Sequence, residues 1–133
     1  MKLGLLADTL GLELRGDAQQ EIQSVAPIHQ AGPGQLSFLH SAKYRKLLPG
    51  CRASALILAP ADAGAFAGHV LISKNPYASY ARALQLLYPA PPWQAGIDPL
   101  ASVHPGATVA ATARIDAFAV VEENAWIGER VWI

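Results

Sequence analysis

The sequence contains little cysteine and little charge. Cys51 is the single cysteine among 133 residues, so no disulfide can form within the chain, as is usual in a reducing cytoplasm. Charged residues make up 15% of the chain, and ten basic residues balance ten acidic ones without a run of either sign. Clustered Lys and Arg, which bind a nucleic-acid backbone, are therefore missing, and we expect no nucleic-acid partner.

The N-terminus also lacks a long apolar run. The opening stretch "MKLGLLADTLGLEL" is interrupted by Asp8 and Glu13, which makes it too short and too polar for a signal or a membrane span. Together with the cysteine content, this predicts a cytoplasmic protein. Hydrophobic residues amount to 52% of the chain, which is sufficient for a packed core.

Motifs for catalysis, metal binding and cofactor binding are absent. There is no Walker loop, dinucleotide fingerprint or nucleophile elbow, and the histidines are scattered along the chain, at His29, His40, His69 and His104. We therefore expect no metal site, no cofactor and no catalytic residue in this chain. From strand alternation we expect His40 to face away from Phe38, and we interpret His104 as a surface or corner residue.

A period of six residues dominates the end of the chain. An aliphatic residue recurs at Ile97, Val103, Val109, Ile115, Val121, Ile127 and Ile133, and alanine follows four residues after each of the first five. Neither a helix nor a single strand has this period, whereas a parallel β-helix with three hexads in each coil does. The hexads supply about two coils, and we expect the last of them to be frayed or packed against another copy.

The preceding residues predict a small α/β domain. Leu3, Leu6 and Leu10 share one face of a helix that Gly11 would end, and short apolar runs such as "ASALILA" and "HVLIS" predict buried strands. In "NPYASYARALQLLYP", Asn75 and Pro76 fit the start of a helix, and its apolar face is expected at Tyr77, Ala81, Leu84 and Tyr88. The proline-rich segment that follows divides the chain into residues 1–92, a linker at 93–96 and repeats at 97–133.

Two local features are candidate binding residues. Phe38 and Tyr44 lie six residues apart across a strand-to-helix junction, so their rings either enclose a planar guest or fill the core, and pattern alone favours the core. In "ISKNPY", Lys74 stands beside a helix N-terminus whose free N–H groups and dipole favour phosphate.

Several segments in order resemble one known family. "LGLELRGD", "IQSVAPIHQAGPGQLSFL", "KYRKLL", "LISKNPYASYARALQLL" and "ASVHPGATV" together resemble the N-terminal part of the UDP-3-O-acylglucosamine N-acyltransferases of lipid A biosynthesis. The resemblance implies an α/β domain that binds uridine, followed by a left-handed parallel β-helix that builds a homotrimer. It also implies that the uracil lies between Phe38 and Tyr44. Ser41 stands where members of this family usually have an asparagine that contacts the base.

The same resemblance implies a substrate and a partner. A histidine activates the 2-amino group of UDP-3-O-acylglucosamine, which attacks a 3-hydroxyacyl thioester on acyl carrier protein. In the family this machinery belongs to later coils, so we expect this chain to be part of a longer protein. Extending the helix N-terminus argument, we assign Lys74 and Asn75 to the diphosphate. Two alternatives remain, a stand-alone sugar-nucleotide-binding module and a structural trimerisation unit.

Overall fold

A computed structural model describes residues 1–133, and its contacts separate the chain into two units, Met1–Ala90 and Pro91–Ile133. The first unit contains both helices and a five-stranded sheet. The second contains only short strands, each of two residues. The change in architecture therefore follows the change in sequence pattern near the proline-rich segment.

The first helix, α1, spans Leu3–Leu10 as the leucine spacing predicts. Leu3 and Leu6 are fully buried, while Leu5 on the opposite face is exposed. Gly11 ends the helix with φ of 65°, and its N–H reaches the carbonyl groups of the preceding turn. This left-handed conformation costs glycine little because it has no Cβ.

The sheet of the first unit is mixed, which confirms the predicted α/β class. Its strands, in the spatial order β1-β5-β4-β3-β2, are β1 (Glu13–Arg15), β2 (Ser24–Val25), β3 (Gln35–Phe38), β4 (Ala55–Leu58) and β5 (His69–Ile72). The strands β2 to β5 run parallel, and only β1 is antiparallel to its neighbour β5. The carboxyl ends of the four parallel strands therefore meet at one edge of the sheet.

The sheet is covered on both faces. Leu36 and Ile57 pack with α1 in one buried cluster, and Leu56 and Leu58 pack in a second cluster on the other face. All four residues of β4 are buried, as expected for a central parallel strand. Full burial of each large aliphatic side chain contributes about 1.5–3 kcal/mol to folding. Two 3-10 segments, Ala42–Gly50 and Ala63–Ala65, contribute residues to the second cluster.

The second helix, α2, spans Pro76–Leu87 and begins as predicted. The Oδ1 atom of Asn75 accepts a hydrogen bond of 3.1 Å from the N–H of Ala78, and Pro76 occupies the first helical position. With 12 residues α2 is the longer of the two helices, and neither has the length and apolar character needed to cross a membrane.

The predicted apolar face of α2 is wrong. Tyr77 and Tyr88 are 67% and 52% exposed, whereas the helix packs on the sheet through Tyr80, Ala83 and Leu87. The predicted face and the observed face both have helical spacing, because α2 carries apolar residues around most of its circumference. Ala83 is fully buried, and its small side chain permits a close approach of the helix to the sheet.

The second unit pairs its strands at a constant offset. Gly96 pairs with Arg114, Ser102 with Val120 and Thr108 with Trp126, in every case eighteen residues on and in parallel. The strands are β6 (Gly96–Ile97), β7 (Ser102–Val103), β8 (Thr108–Val109), β9 (Arg114–Ile115), β10 (Val120–Val121) and β11 (Trp126–Ile127). Three hexads thus separate each strand from its partner.

Burial in this unit increases toward its middle. Ala113, Ile115 and Val121 are almost fully buried, whereas Ile97 and Ile133 at the two ends remain 51% and 43% exposed. In a stacked repeat, an inward side chain is covered only when a neighbouring layer lies on each side of it. The aliphatic and alanine positions of the hexads are therefore the interior of this unit.

The final residues are hydrogen-bonded to the preceding coil, whereas we expected them to be frayed or packed against another copy. The N–H of Asp116 donates a hydrogen bond of 2.8 Å to the carbonyl oxygen of Ile133. The N–H of Ile133 donates one of 3.0 Å to the carbonyl oxygen of Arg114. Side chains hold the same layer, since the Asp116 carboxylate accepts hydrogen bonds from Arg114 Nε at 2.7 Å and from Trp132 Nε1 at 2.6 Å. We call these three side chains the clamp. The hydrogen bond from Arg114, and to a smaller extent the one from Trp132, holds the pKa of the Asp116 carboxyl below its ordinary value.

Replacing Asp116 with Asn should loosen this last layer. In Asp116→Asn we expect faster hydrogen exchange at the backbone amides of residue 116 and Ile133. The control variant Glu129→Gln removes a carboxylate that has no hydrogen-bond partner, and it should leave both exchange rates unchanged. Since the pKa of Asp116 is lowered in the folded state, its contribution is present above the ordinary aspartate pKa and is lost as the pH falls through the lowered value. Equal exchange rates in the wild type and Asp116→Asn would show that the clamp does not hold this layer.

Candidate functional site

An apolar pocket opens at the carboxyl edge of the sheet. It has a volume of about 360 Å³ and is lined by Pro27, Ile28, His29, Phe38, His40, Tyr44 and Tyr80. We call it the aromatic pocket, since three of these side chains are Phe or Tyr and two more carry an imidazole ring. Its walls come from the turn after β2, the end of β3, the 3-10 segment Ala42–Gly50 and α2.

The rings of the aromatic pocket form a row. Phe38 stacks on Tyr80 with centroids 4.2 Å apart and an interplanar angle of 23°. The centroid of His40 lies 5.6 Å from that of Phe38 and 5.0 Å from that of Tyr44, and its ring is tilted by 44° to each. Phe38 and Tyr44 thus line the same pocket, and the imidazole of His40 is close to both rings.

The expected orientation of His40 is wrong. Residues two apart in a strand point to the same side of the sheet, so extended backbone brings His40 back to the side of Phe38. The His40 side chain is exposed, and exposed side chains exchange rotamers on the picosecond to nanosecond scale. His40 therefore belongs to the solvent-exposed side of the pocket.

Sequence reasoning missed the contribution of Tyr80. It assigned the apolar face of α2 to Tyr77 and three other residues, whereas the observed rotation of the helix brings Tyr80 onto Phe38. Burial raises the pKa of the Tyr80 phenol above the ordinary tyrosine value, and Tyr88 adds to the rise. The phenol is therefore neutral at physiological pH and forms an uncharged wall of the pocket.

Ser41 stands beside the aromatic pocket without lining it. Its backbone carbonyl accepts a hydrogen bond of 3.0 Å from the N–H of Tyr44 at the beginning of the 3-10 segment. The Ser41 hydroxyl makes no capping hydrogen bond there. The Ser41 hydroxyl therefore remains available to a ligand.

Lys74 and Asn75 do not line the aromatic pocket. Asn75 caps α2 with its side chain, and its own N–H donates to Ser73 Oγ at 3.0 Å. Pro76 has no N–H to offer, so most donors at this helix N-terminus are occupied or missing. Neither Lys74 nor Asn75 is among the residues that line the pocket.

An ion pair anchors the segment that carries Tyr44. Arg45 contacts both carboxylate oxygens of Asp62, one of them at 3.3 Å from Nη2, and Asp62 is 7% exposed. Hydrogen bonding to Asp62 raises the pKa of the Arg45 guanidinium. The pair connects Ala42–Gly50 to the segment that precedes β5, and so holds Tyr44 at the wall of the pocket.

A second cavity adjoins the aromatic pocket. It has a volume of about 520 Å³, and we call it the basic cavity because His29, Lys46 and Arg52 line it and no acidic residue does. Ile28 and His29 belong to the walls of both cavities. Elsewhere in the chain, no three His, Cys, Asp or Glu side chains converge in a way that would hold a metal ion.

The curated relatives of this chain are N-acyltransferases. A UDP-3-O-acylglucosamine N-acyltransferase of Pseudomonas fluorescens is 48% identical over 111 residues, which cover 84% of this chain and 30% of the relative. The protein of the same name in Pseudomonas aeruginosa is 49% identical over 107 residues, covering 80% of this chain and 30% of the relative. The chain thus spans about 30% of the length of these relatives.

The family model of UDP-3-O-(3-hydroxymyristoyl) glucosamine N-acyltransferase, LpxD, matches residues 19–86, more than half of the chain. The chain therefore belongs to this family, as the order of its sequence segments predicted. Every residue that lines the aromatic pocket lies within the matched range.

Removing the ring of Tyr80 should destabilise the first unit more than removing its hydroxyl. Tyr80→Ala loses the stacked pair with Phe38, which is worth about 0.5–1.5 kcal/mol in addition to the buried area, whereas Tyr80→Phe retains the ring. Urea unfolding followed by circular dichroism compares the two variants. Equal free energies of unfolding would mean that the stacked pair does not support the pocket.

Proposed function

We propose that the aromatic pocket binds the uracil of UDP-3-O-acylglucosamine, with Phe38 and Tyr44 on either side of the base. The observation that carries this proposal is the row of rings at the end of β3, inside the range that the family model matches. Stacking of a base on aromatic side chains contributes about 1–3 kcal/mol per base. An apolar enclosure with few polar groups at its rim favours such a planar guest.

Polar groups near the pocket are proposed to contact the rest of the nucleotide. The Ser41 hydroxyl, which has no capping bond, provides one donor and one acceptor for the base edge. The diphosphate has two candidate cationic neighbours, Lys74 with Asn75 at the start of α2 and the basic cavity. Binding of a sugar nucleotide requires no metal or cofactor from these residues.

For the second unit we propose the first coils of a left-handed parallel β-helix that assembles as a homotrimer. The period of six and the pairing eighteen residues on support a coil of three short sides. Phe118, Val120 and Trp126 are 80%, 65% and 76% exposed, and in this proposal they contribute to contacts between copies.

In the full-length protein we propose transfer of a 3-hydroxyacyl chain from acyl carrier protein to the 2-amino group of the bound sugar, in the cytoplasm. The amine attacks the thioester carbonyl, a base takes its proton, and the carrier thiol leaves with formation of an amide. In this proposal residues 1–133 recognise the substrate and supply no catalytic group. The aromatic pocket disfavours the alternative of a pure trimerisation unit, which has no use for a nucleotide site.

Tyr44→Ala should weaken UDP binding by about 1–3 kcal/mol, or roughly 5- to 150-fold in Kd, because one stacking ring is lost. Isothermal titration calorimetry with UDP measures the change, and circular dichroism checks that the variant folds. Tyr88→Ala is the matched control, since this tyrosine is 52% exposed and lies outside the pocket. Unchanged affinity in Tyr44→Ala would remove the proposed base site.

The 133-residue chain alone should form no amide. Mixed with UDP-3-O-acylglucosamine and a 3-hydroxyacyl thioester of acyl carrier protein, it is expected to give product at the background rate, as detected by mass spectrometry. A full-length relative under the same conditions serves as the positive control. Turnover by the 133-residue chain would place catalytic groups within it and contradict the proposed division of roles.

A further inference from the structure

The turns of the later hexads share one backbone conformation. The residue three positions after the aliphatic one has a positive φ at Phe118 (65°), Asn124 (63°) and Arg130 (54°), and we call these three the corner residues. The N–H of Phe118 donates to the carbonyl oxygen of Leu100 at 3.2 Å, and that of Asn124 donates to Gly106 at 3.3 Å. At these two corners, a backbone hydrogen bond therefore connects residues eighteen positions apart.

The third corner residue, Arg130, departs from this pattern. By the same offset its N–H would donate to the carbonyl oxygen of Thr112, but it donates to the Thr112 side chain, at Oγ1, over 3.2 Å. The carbonyl oxygen of Thr112 instead accepts a hydrogen bond of 3.0 Å from Nε1 of Trp93. The indole thus replaces the corner N–H at this carbonyl, and the threonine hydroxyl provides the N–H with another acceptor.

The ring of Trp93 makes a second contact at the same corner. The guanidinium carbon of Arg130 lies 5.7 Å from the ring centroid, within the range of a cation–π interaction. Trp93 belongs to the segment between α2 and β6, where the first backbone hydrogen bond to the repeats is the one of 2.9 Å from Gly96 to Ala113. The side chain of Trp93 therefore attaches residues 91–95 to the second unit.

We propose that Trp93 is a releasable latch with two arrangements. In the closed one, Trp93 occupies the carbonyl of Thr112 and Arg130 uses the hydroxyl, as the structure shows. In the open one, the indole is in water and the N–H of Arg130 donates to the carbonyl, as at the other two corners. Because the backbone groups of this corner have a partner in both arrangements, opening the latch leaves none of them unpaired.

Opening the latch lengthens the free connection between the two units. Helix α2 ends at Leu87 and strand β6 begins at Gly96. With the latch closed the free connection ends at Trp93, and with the latch open it continues to Gly96, which adds about 10 Å of extended chain. None of these residues lines the aromatic pocket, so this inference does not depend on the proposed function.

Hydrogen exchange measured by nuclear magnetic resonance tests the latch in the wild type. The indole N–H of Trp93 should exchange more slowly than that of Trp126, a side chain that is 76% exposed. Arg130→Gln removes the cation and should raise the exchange rate of the Trp93 indole about 2- to 5-fold. Arg82→Gln removes the same charge from the first unit and should leave this rate unchanged.

The two arrangements are separated by combining substitutions. Thr112→Val removes the hydroxyl and should speed exchange of the Arg130 amide about 2- to 12-fold, because one hydrogen bond is lost. In Trp93→Phe the carbonyl of residue 112 is free for this amide, so adding Thr112→Val should change its rate less than about 2-fold. Thr108→Val, the matched control in β8, should leave the Arg130 amide unchanged.

Two results would overturn the proposal. If the Trp93 indole of the wild type exchanges as fast as that of Trp126, there is no closed latch, and this comparison needs no variant to fold. If Thr112→Val speeds exchange of the Arg130 amide equally with and without the Trp93 indole, the open arrangement does not form. Circular dichroism confirms that each variant is folded before its rates are compared.

Discussion

The parallel register of β2, β3 and β4 is the constraint on which the candidate site depends. It brings the residues that follow β2 and β3 to one edge of the sheet, where both cavities open. Leu36 and Ile57 are fully buried and pack in the same cluster as Phe38. The same burial that stabilises the sheet therefore fixes Phe38 at the pocket.

Aromatic contacts and charge then divide the site into two parts. The stacked pair of Phe38 and Tyr80 supports one wall of a mainly apolar enclosure, and the Arg45–Asp62 pair holds the segment that carries Tyr44. The unpaired cations Lys46 and Arg52 lie in the adjoining cavity.

Strong local patterns made much of the fold predictable. The leucines of α1, the apolar run of β4 and the hexads each have a period or length that fits one kind of element. The orientation of α2 was not predictable in the same way, because two sets of apolar residues, around Tyr77 and around Tyr80, have helical spacing. That choice depends on the packing of Ala83 against the sheet. The position of His40 was available from strand alternation, and the prediction applied that rule incorrectly.

Intermolecular nuclear Overhauser effects with uridine test the central claim most directly. If the base lies in the aromatic pocket, the H5 and H6 protons of the uracil should show cross-peaks to ring protons of Phe38 and Tyr44, and the signals of the nearby His40 should shift. Cross-peaks from the uracil to residues at the start of α2, with none to Phe38 or Tyr44, would contradict the account.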